Sequence, residues 1–328
     1  MRRDLRQRRR KLDGNQVPGY SWTISPERIN MPYTRFICPD GGEIPIEECL
    51  QACRLNGVVN PDTEDYYVPC GRCLSVPTLK AVARQREWDG KPSTTQLLRG
   101  TREAYLMLTK EYAIDPKSMM FALHGTNTHS VLEENSDGLL AEQRLYDGVS
   151  TGAFDLWTPE NGGTLVDYKT YGSYVAASVM GMGTKKVHIG SYKNGKPKYK
   201  TVITYGNAKH MFDLAVQMND YRMKLKKCLG KDTKQLVCEI IVRDGNTYMA
   251  TNRGITENAY LVPVGMISDI WVSRYMNKKA DDLHKALETD IIPAPCKPRE
   301  CWGGNKCQKY CAVNKFCDCY TEEVNGNY

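Results

Sequence analysis

Apolar residues recur every three or four positions in four stretches of the chain, and at alternate positions in the stretches between them. The first spacing predicts amphipathic helices, and the second predicts half-buried strands. The expected helices cover residues 93–108, 119–134, 207–229 and 268–287. The expected strands cover residues 139–145, 148–158 and 164–170, a hairpin across 186–205, and a pair flanking Asp244-Gly245-Asn246.

The order of these elements is helices, a strand meander, a long helix, a strand pair and a last helix. This order predicts an α/β core with a mixed central sheet flanked by helices. Residues 14–92 are rich in Pro, Gly and Cys with little sustained periodicity, which indicates an irregular segment that a metal would hold together. We therefore divide the chain into a basic arm (1–13), a cysteine-containing segment (14–92), a core (93–290) and a cysteine-rich tail (291–328).

The composition fits a chain that works in water. With 328 residues and 41% hydrophobic composition, it can bury one sizeable core and little more. No run of about 18 uncharged apolar residues is present, and the first residues lack the apolar region of a secretory signal. We expect a cytoplasmic protein, in the host cytoplasm if the source is viral, with no membrane partner.

The positive charge is concentrated at the start of the chain. The net charge is +7, and residues 1–11 supply +6 of it, because seven Lys or Arg stand there against Asp4 alone. An arm of this charge is expected to be disordered. It suits either attraction to phosphate or simple solubilisation.

The cysteines form two groups that bracket a cysteine-poor centre. A chain of 13 cysteines without an export signal favours metal binding over disulfides, because a reducing compartment keeps thiols free. The first group ends in a Cys-x2-Cys pair typical of zinc modules. Its expected ligands are Cys38, Cys53, Cys70 and Cys73. The tail offers Cys301, Cys307, Cys311 and Cys317 for zinc or an iron–sulfur cluster, with Cys296 and Cys319 nearby.

Two expected strands carry the groups that a hydrolytic metal site needs. Asp155 lies in the middle of one strand and Asp167 near the end of the next, so both carboxylates can meet at one edge of the sheet. Alternation places Asp167 and Lys169 on the same face. Carboxylate oxygens suit Mg²⁺ or Mn²⁺, and the ammonium of Lys169 can orient a nucleophile. An Asp-x-Lys triplet is common in exposed ion pairs, so it indicates a site only in company with other motifs.

Two expected helices carry such accompanying motifs. Gly125 and His129 stand four residues apart on one expected helix, where the imidazole can reach a metal, and Gln217 and Tyr221 repeat that spacing on the long helix. In this order, GxxxH, GxxD, (D/E)xK and QxxxY resemble the motifs of the PD-(D/E)XK nuclease superfamily in its RecB-like branch, which includes AddB and CRISPR-associated members. The resemblance covers about residues 93–264.

The resemblance implies a restriction-endonuclease-like core and a role for each matched position. His129, Asp155 and Asp167 would hold Mg²⁺ or Mn²⁺ with the carbonyl of Tyr168, and Lys169 would position the attacking water. Gln217 and Tyr221 would contact DNA near the scissile phosphate, although Tyr221 also fits the apolar stripe of its helix. Glu142, on the strand before Asp155, is a candidate supporting acid.

The chain departs from the family pattern in two places. Between the Lys169 and Gln217 motifs lies a hairpin rich in Lys and Tyr, which suits either gripping of single-stranded DNA or plain solvation. Many family members also hold a 4Fe–4S cluster with one cysteine in the first helix and three near the C-terminus, and here Gly100 stands where the helix cysteine is expected. The lysines of the hairpin that we expect to bind DNA are Lys193, Lys196, Lys198 and Lys200.

These features predict a Mg²⁺- or Mn²⁺-dependent deoxyribonuclease, and more narrowly an exonuclease of recombination, repair, phage DNA processing or CRISPR adaptation. Its expected partners are DNA with a free end or a single strand, and a helicase or recombination protein. Two other functions fit the same fold: a non-catalytic DNA-binding or scaffolding protein, and a site-specific endonuclease.

Overall fold

The computed structural model describes residues 33–206, 208 and 210–319, so the predicted basic arm lies outside the described residues. The strands are β1 (Arg35–Ile37), β2 (Glu43–Pro45), β3 (Ala113–Ile114), β4 (Leu140–Tyr146), β5 (Thr151–Thr158), β6 (Thr164–Tyr171), β7 (Met182–Ser191), β8 (Pro197–Tyr205), β9 (Gln235–Val242) and β10 (Ala259–Val264). The helices are α1 (Ile46–Gln51), α2 (Val76–Val82), α3 (Thr94–Leu98), α4 (Thr101–Thr109), α5 (Met120–Glu134), α6 (Ser173–Val179), α7 (Met211–Leu229), α8 (Tyr248–Asn252), α9 (Asp269–Thr289) and α10 (Asn305–Lys309).

The central sheet has five strands in the order β10-β9-β6-β5-β4. Strands β4, β5 and β6 form an antiparallel meander, β6 and β9 run parallel, and β9 and β10 run antiparallel. The parallel pair needs a crossover, and α6, the β7–β8 hairpin and α7 supply it. The predicted mixed α/β architecture with flanking helices is confirmed.

Several predicted elements change in detail. The first predicted helix is two helices, since α3 ends at Leu98 and α4 begins at Thr101, with Arg99 and Gly100 as the cap residues between them. Lys279 of α9 donates to the freed Arg99 carbonyl at 2.6 Å. Helices α6 and α8 were not predicted, because both are shorter than the window in which helical periodicity is visible. The segment 33–92 is less irregular than predicted, since it contains two strands and two helices.

Two hydrophobic cores hold these layers together. One core joins the small sheet of β1, β2 and β3 to helices α2, α4 and α9, with Phe36, Leu79, Leu106 and Leu283 at its centre. The other lies between the central sheet and helices α6 and α7. The described part of the N-terminal segment therefore shares a core with the helices that follow it. Among the described residues, no helix combines the length and apolarity needed to cross a membrane.

A buried charge fixes α7 against the meander. The Lys224 ammonium is 1% exposed and donates to Asp220 at 2.6 Å and to Ser150 at 2.9 Å, and it lies 3.1 Å from Asp147. Thr94 of α3 donates to the same Asp220 carboxylate at 2.5 Å. Burial raises the pKa of Asp220, whereas at Asp147 the charge of Lys224 outweighs burial and lowers the pKa. The Lys224–Asp220 pair thus joins α3, α7 and the β4–β5 turn.

We expect Lys224→Met to lower the free energy of unfolding by about 3–5 kcal/mol, because it leaves Asp220 and Asp147 buried without their cation. Urea unfolding at pH 7 measures the effect. Lys226→Met is the matched control, since Lys226 pairs with Asp232 in an exposed ion pair worth at most about 1 kcal/mol. Equal losses in the two variants would contradict a special role for Lys224.

Candidate active site

The two predicted aspartates meet where β5 and β6 separate. Leu156 pairs with Val166 in the antiparallel ladder, so the next residues, Asp155 and Asp167, stand opposite each other on one face. Beyond this pair, a side chain takes the place of a backbone hydrogen bond between the strands. The Asp155 Oδ2 accepts the backbone N–H of Tyr168 at 2.6 Å. The strands are thereby held apart enough to leave a carboxylate-lined notch.

Asp167 and Lys169 form a buried ion pair, as their shared strand face predicts. Asp167 is 1% exposed, and its Oδ2 contacts Lys169 Nζ without a hydrogen bond of normal geometry. Burial raises the pKa of Asp167 to about 6, although Lys169 opposes the shift. Burial by itself would lower the pKa of Lys169, but the carboxylates of Asp167 and Asp155 outweigh it and raise that pKa. The ammonium therefore stays charged beside the carboxylates.

His129 reaches the same notch from α5. Its Nε2 lies 3.1 Å from the carbonyl oxygen of Tyr168, and its Nδ1 lies 3.3 Å from Asp155 Oδ1 and 3.2 Å from Glu142 Oε1. Hydrogen bonds to Asp155 and Glu142 raise the pKa of His129 to about 10. The predicted group of His129, Asp155, Asp167, Lys169 and the Tyr168 carbonyl is thus brought together.

Glu142 belongs to this group more closely than the sequence indicated. Ligand atoms of His129, Glu142 and Asp155 lie within 4.8 Å of one another, and among the described residues no other His, Cys, Asp or Glu side chains form such a group of three. Glu142 has a φ of 48°, a left-handed conformation that costs a non-glycine residue energy. The signal that could have found it is register, since the residues on either side of it pair with Leu156 and Phe154, which flank Asp155.

The glycines of the two motifs permit close approach. A Cβ at Gly152 would lie 2.6 Å from the Tyr221 ring, so only glycine lets α7 pack directly on β5. A Cβ at Gly125 would lie 3.4 Å from the Thr170 hydroxyl, which is ordinary contact, so α5 also packs closely on β6. Gly152 therefore sets the distance between α7 and β5, whereas a methyl group at position 125 would fit between α5 and β6.

The two α7 residues predicted to contact DNA differ in exposure. Tyr221 is 5% exposed in the core beneath the sheet, and its hydroxyl accepts from Gln217 Nε2 at 2.9 Å. Gln217 is half-buried. The burial of Tyr221 fits the packing alternative, and its contact with DNA stays a prediction, as does that of Gln217.

The predicted basic hairpin is β7 and β8, which form a separate two-stranded sheet within the described part of the chain. Both strands are exposed along nearly their whole length, and Tyr192 and Tyr199 are each 54% exposed. Lys198 Nζ lies 5.7 Å from the centre of the Tyr192 ring. The hairpin thus presents cations and aromatic rings together, with four predicted DNA-binding lysines on its turn and on β8: Lys193, Lys196, Lys198 and Lys200.

The N-terminal thiols are grouped differently from the predicted zinc ligands. Cys70 is exposed, whereas Cys49, which was not among the predicted ligands, is buried. Burial raises the pKa of Cys49, and the neighbouring thiols of Cys38, Cys73 and Cys53 raise it further. The sequence did not distinguish Cys49 from Cys70, because only packing shows which thiol points inward.

The C-terminal thiols surround one cavity. A space of about 160 Å³ between α4 and the tail is lined by all four predicted thiols and two more. Arg102 of α4 donates to two of the sulfurs, Cys319 at 3.4 Å and Cys317 at 3.7 Å. The cysteines around the cavity are Cys296, Cys301, Cys307, Cys311, Cys317 and Cys319.

Neither protein-family models nor curated proteins give a match to this chain. Among solved structures, the chain is similar to the crystal structure of SSO0001, with 13% sequence identity and a TM-score of 0.38. The similarity covers 74% of this chain and 94% of that chain. Similarity of this degree says nothing about function, so the function must be inferred from the geometry of the site.

We expect the stabilising effect of His129 to depend on pH in metal-free protein. Its folded pKa of about 10 is above the ordinary 6.5, so its contribution is complete below about pH 6.5 and is lost as the pH rises through 10. The difference in unfolding free energy between wild type and His129→Gln, measured in chelator, should therefore shrink between pH 7 and pH 10. A difference that stays constant over this range would contradict the His129–carboxylate contacts.

Proposed function

We propose that the protein is a Mg²⁺- or Mn²⁺-dependent deoxyribonuclease of the RecB-like branch of the PD-(D/E)XK superfamily. One observation carries the proposal. Three separate elements, α5, β5 and β6, bring His129, Asp155 and the Asp167–Lys169 pair into one notch, which supports the roles that the motifs imply. The five-stranded mixed sheet with α5 and α7 packed on it is consistent with a restriction-endonuclease-like core.

The donor set of the notch fits a hard divalent cation. Carboxylate and carbonyl oxygens with one imidazole suit Mg²⁺ or Mn²⁺. The buried Oδ2 of Asp167 pairs with the Lys169 ammonium but makes no hydrogen bond of normal geometry, so it keeps a lone pair that a metal ion could use. His129, Asp155, Asp167 and the carbonyl of Tyr168 would hold the ion, which when bound would activate water and stabilise negative charge on the phosphate.

The chain's own residues supply the remaining chemistry. The Lys169 ammonium, charged and fixed by Asp167, would orient the attacking water and balance the charge that develops on the phosphoryl oxygens. The Glu142 carboxylate contacts Nδ1 of His129 and so fixes the orientation of the ring, with Nε2 facing the carbonyl oxygen of Tyr168. Orientation of a ligand imidazole by a carboxylate is a general feature of metal sites.

The DNA strand would be guided by the β7–β8 hairpin. Phosphate attraction by its lysines and stacking on exposed Tyr192 and Tyr199 suit a single strand of any sequence. Gln217 is half-buried and Tyr221 is buried, so Gln217 is the α7 residue better placed to reach a substrate. This arrangement favours an exonuclease that acts from a DNA end, in recombination, repair, phage DNA processing or CRISPR adaptation, with unwinding left to a partner.

We further propose that thiolate-bound metal stabilises both cysteine-rich segments. For the N-terminal group the neighbouring thiols Cys38, Cys49, Cys53 and Cys73 suit zinc, with Cys49 in place of Cys70. For the tail, zinc and a 4Fe–4S cluster both use four thiolates.

The catalytic proposal predicts that Asp167→Asn and Lys169→Ala each lower the rate of DNA cleavage by at least about a hundredfold, because each removes a charge at the reacting phosphate. The measurement is digestion of end-labelled linear DNA with Mg²⁺ or Mn²⁺. Asp232→Asn is the control, since the Asp232 carboxylate lies exposed in the loop after α7 and should not affect the rate.

Covalently closed circular DNA separates the alternatives in the same assay. An exonuclease should release short products from linear DNA early and leave circles intact. Cutting of circles at discrete sequences would show a site-specific endonuclease. DNA binding without any cleavage by the metal-loaded wild type would show a non-catalytic DNA-binding protein.

Replacing Lys193, Lys196, Lys198 and Lys200 by Gln should weaken single-strand binding for all sequences. The slope of log affinity against log salt should fall by up to about 3, because each neutralised phosphate contributes roughly 0.7. Binding titrations at several salt concentrations measure the slope. Gln at Lys226, Lys227, Lys231 and Lys234 is the control of equal charge change, and an equal effect there would count against the hairpin.

A further inference from the structure

Helix α4 begins after a glycine, Gly100, and the thiol of a cysteine far along the chain occupies the space where a side chain at position 100 would lie. Gly100 is the N-cap residue and has no side chain to cap the nine-residue helix. A Cβ at position 100 would overlap the sulfur of Cys296. The φ of Gly100 is −59°, so the backbone does not itself require glycine. The close approach of Cys296 is what excludes a side chain here.

The Cys296 sulfur occupies the position of a helix cap. The backbone N–H of Glu103, in the first turn of α4, hydrogen-bonds this sulfur. An N-terminal helix turn stabilises a thiolate, because its free N–H groups and the helix dipole favour negative charge. Burial and the carboxylates of Glu103 and Glu300 nevertheless raise the pKa of Cys296 to about 11, and the hydrogen bond from the Glu103 N–H opposes this shift. The sulfur lies at the point where the family pattern expects a cysteine from the helix itself.

The thiols around the cavity lie farther apart than the ligands of one bound zinc ion. Zinc binds sulfur at about 2.3 Å, so four thiolates around one ion would lie about 3.8 Å apart. Six cysteines line the cavity of about 160 Å³. No three of these sulfurs lie within 4.8 Å of one another among the described residues. The thiolates of a polynuclear cluster are bound by different irons and lie farther apart than those of one zinc ion, so the spacing is compatible with a cluster.

We propose that Cys296 is the fourth ligand of a 4Fe–4S cluster, with Cys307, Cys311 and Cys317, in place of the helix cysteine that Gly100 has displaced. The assignment of a 4Fe–4S cluster, rather than another metal centre, rests on the proposed family relationship. The choice of ligand rests on the contact between Cys296 and Gly100.

Two further cysteines at the cavity are left out of the ligand set. The thiol of Cys301 is directed to the carbonyl of Pro298 in its own turn, at 3.7 Å. Cys319 receives the shorter of the two Arg102 hydrogen bonds to sulfur and follows Cys317 by only two residues. The sulfur nearest to a side chain at position 100, where the displaced ligand belongs, is that of Cys296.

The experiment compares the metal content of the wild type with that of variants in which the thiol is removed from position 296 or introduced at position 100 of the helix. Full-length protein is purified without oxygen, and its iron, acid-labile sulfide, zinc and visible absorption are measured without DNA. The wild type should contain about four irons per chain. Cys296→Ala should lose most of them, and the double variant Gly100→Cys with Cys296→Ala should regain them, because the new side chain enters the space that the sulfur leaves.

Two variants serve as controls, and circular dichroism verifies that all of them are folded. Gly100→Ala with Cys296→Ala fills the same space without sulfur and should stay low in iron. Cys301→Ala should keep the wild-type iron content.

The proposal is overturned if Cys296→Ala keeps its full iron content, if the relocated thiol restores none, or if the wild type holds zinc and no iron. These measurements need no nuclease activity. A loaded cluster in a protein that cuts no DNA would therefore refute the proposed function and leave the ligand assignment standing.

Discussion

The fold depends on one charge that has been taken out of water. Lys224 is 1% exposed, and its ammonium is compensated by Asp220, Asp147 and Ser150. A buried ion pair adds little net stability, but loss of one partner is costly, so the network permits few alternative placements of α7. With α7 fixed in this way, the Tyr221 ring lies on Gly152, and β5 is held with Asp155 at the edge of the notch.

The notch has the opposite electrostatic character. Three carboxylates, from Glu142, Asp155 and Asp167, face one ammonium and one imidazole, so negative charge is in excess even when His129 carries a proton. A metal ion that binds His129 must displace that proton, which makes metal affinity depend on pH. Glu142 also has a left-handed backbone conformation, and the free-energy cost of that conformation is present before any ion binds.

Contacts at the break between α3 and α4 attach the tail to the core. Lys279 of α9 donates to the carbonyl of Arg99 at 2.6 Å and to Glu300 of the tail at 2.8 Å. Cys296 then fills the space beside Gly100. The tail is thus attached to the core by a buried ion pair and a thiol at one helix start, so a metal bound by the tail would also stabilise α4.

The sequence by itself determined the strand meander, the mixed α/β order and the face shared by Asp167 and Lys169, because periodicity and alternation are local properties of the chain. It also identified His129 and Asp155 through their motifs. The Glu142 and Lys224 contacts, the inward turn of Cys49, the burial of Tyr221 and the place of Cys296 at Gly100 were decided by the tertiary structure. Each depends on strand register or on packing between segments far apart in sequence, and local patterns carry no information about such contacts.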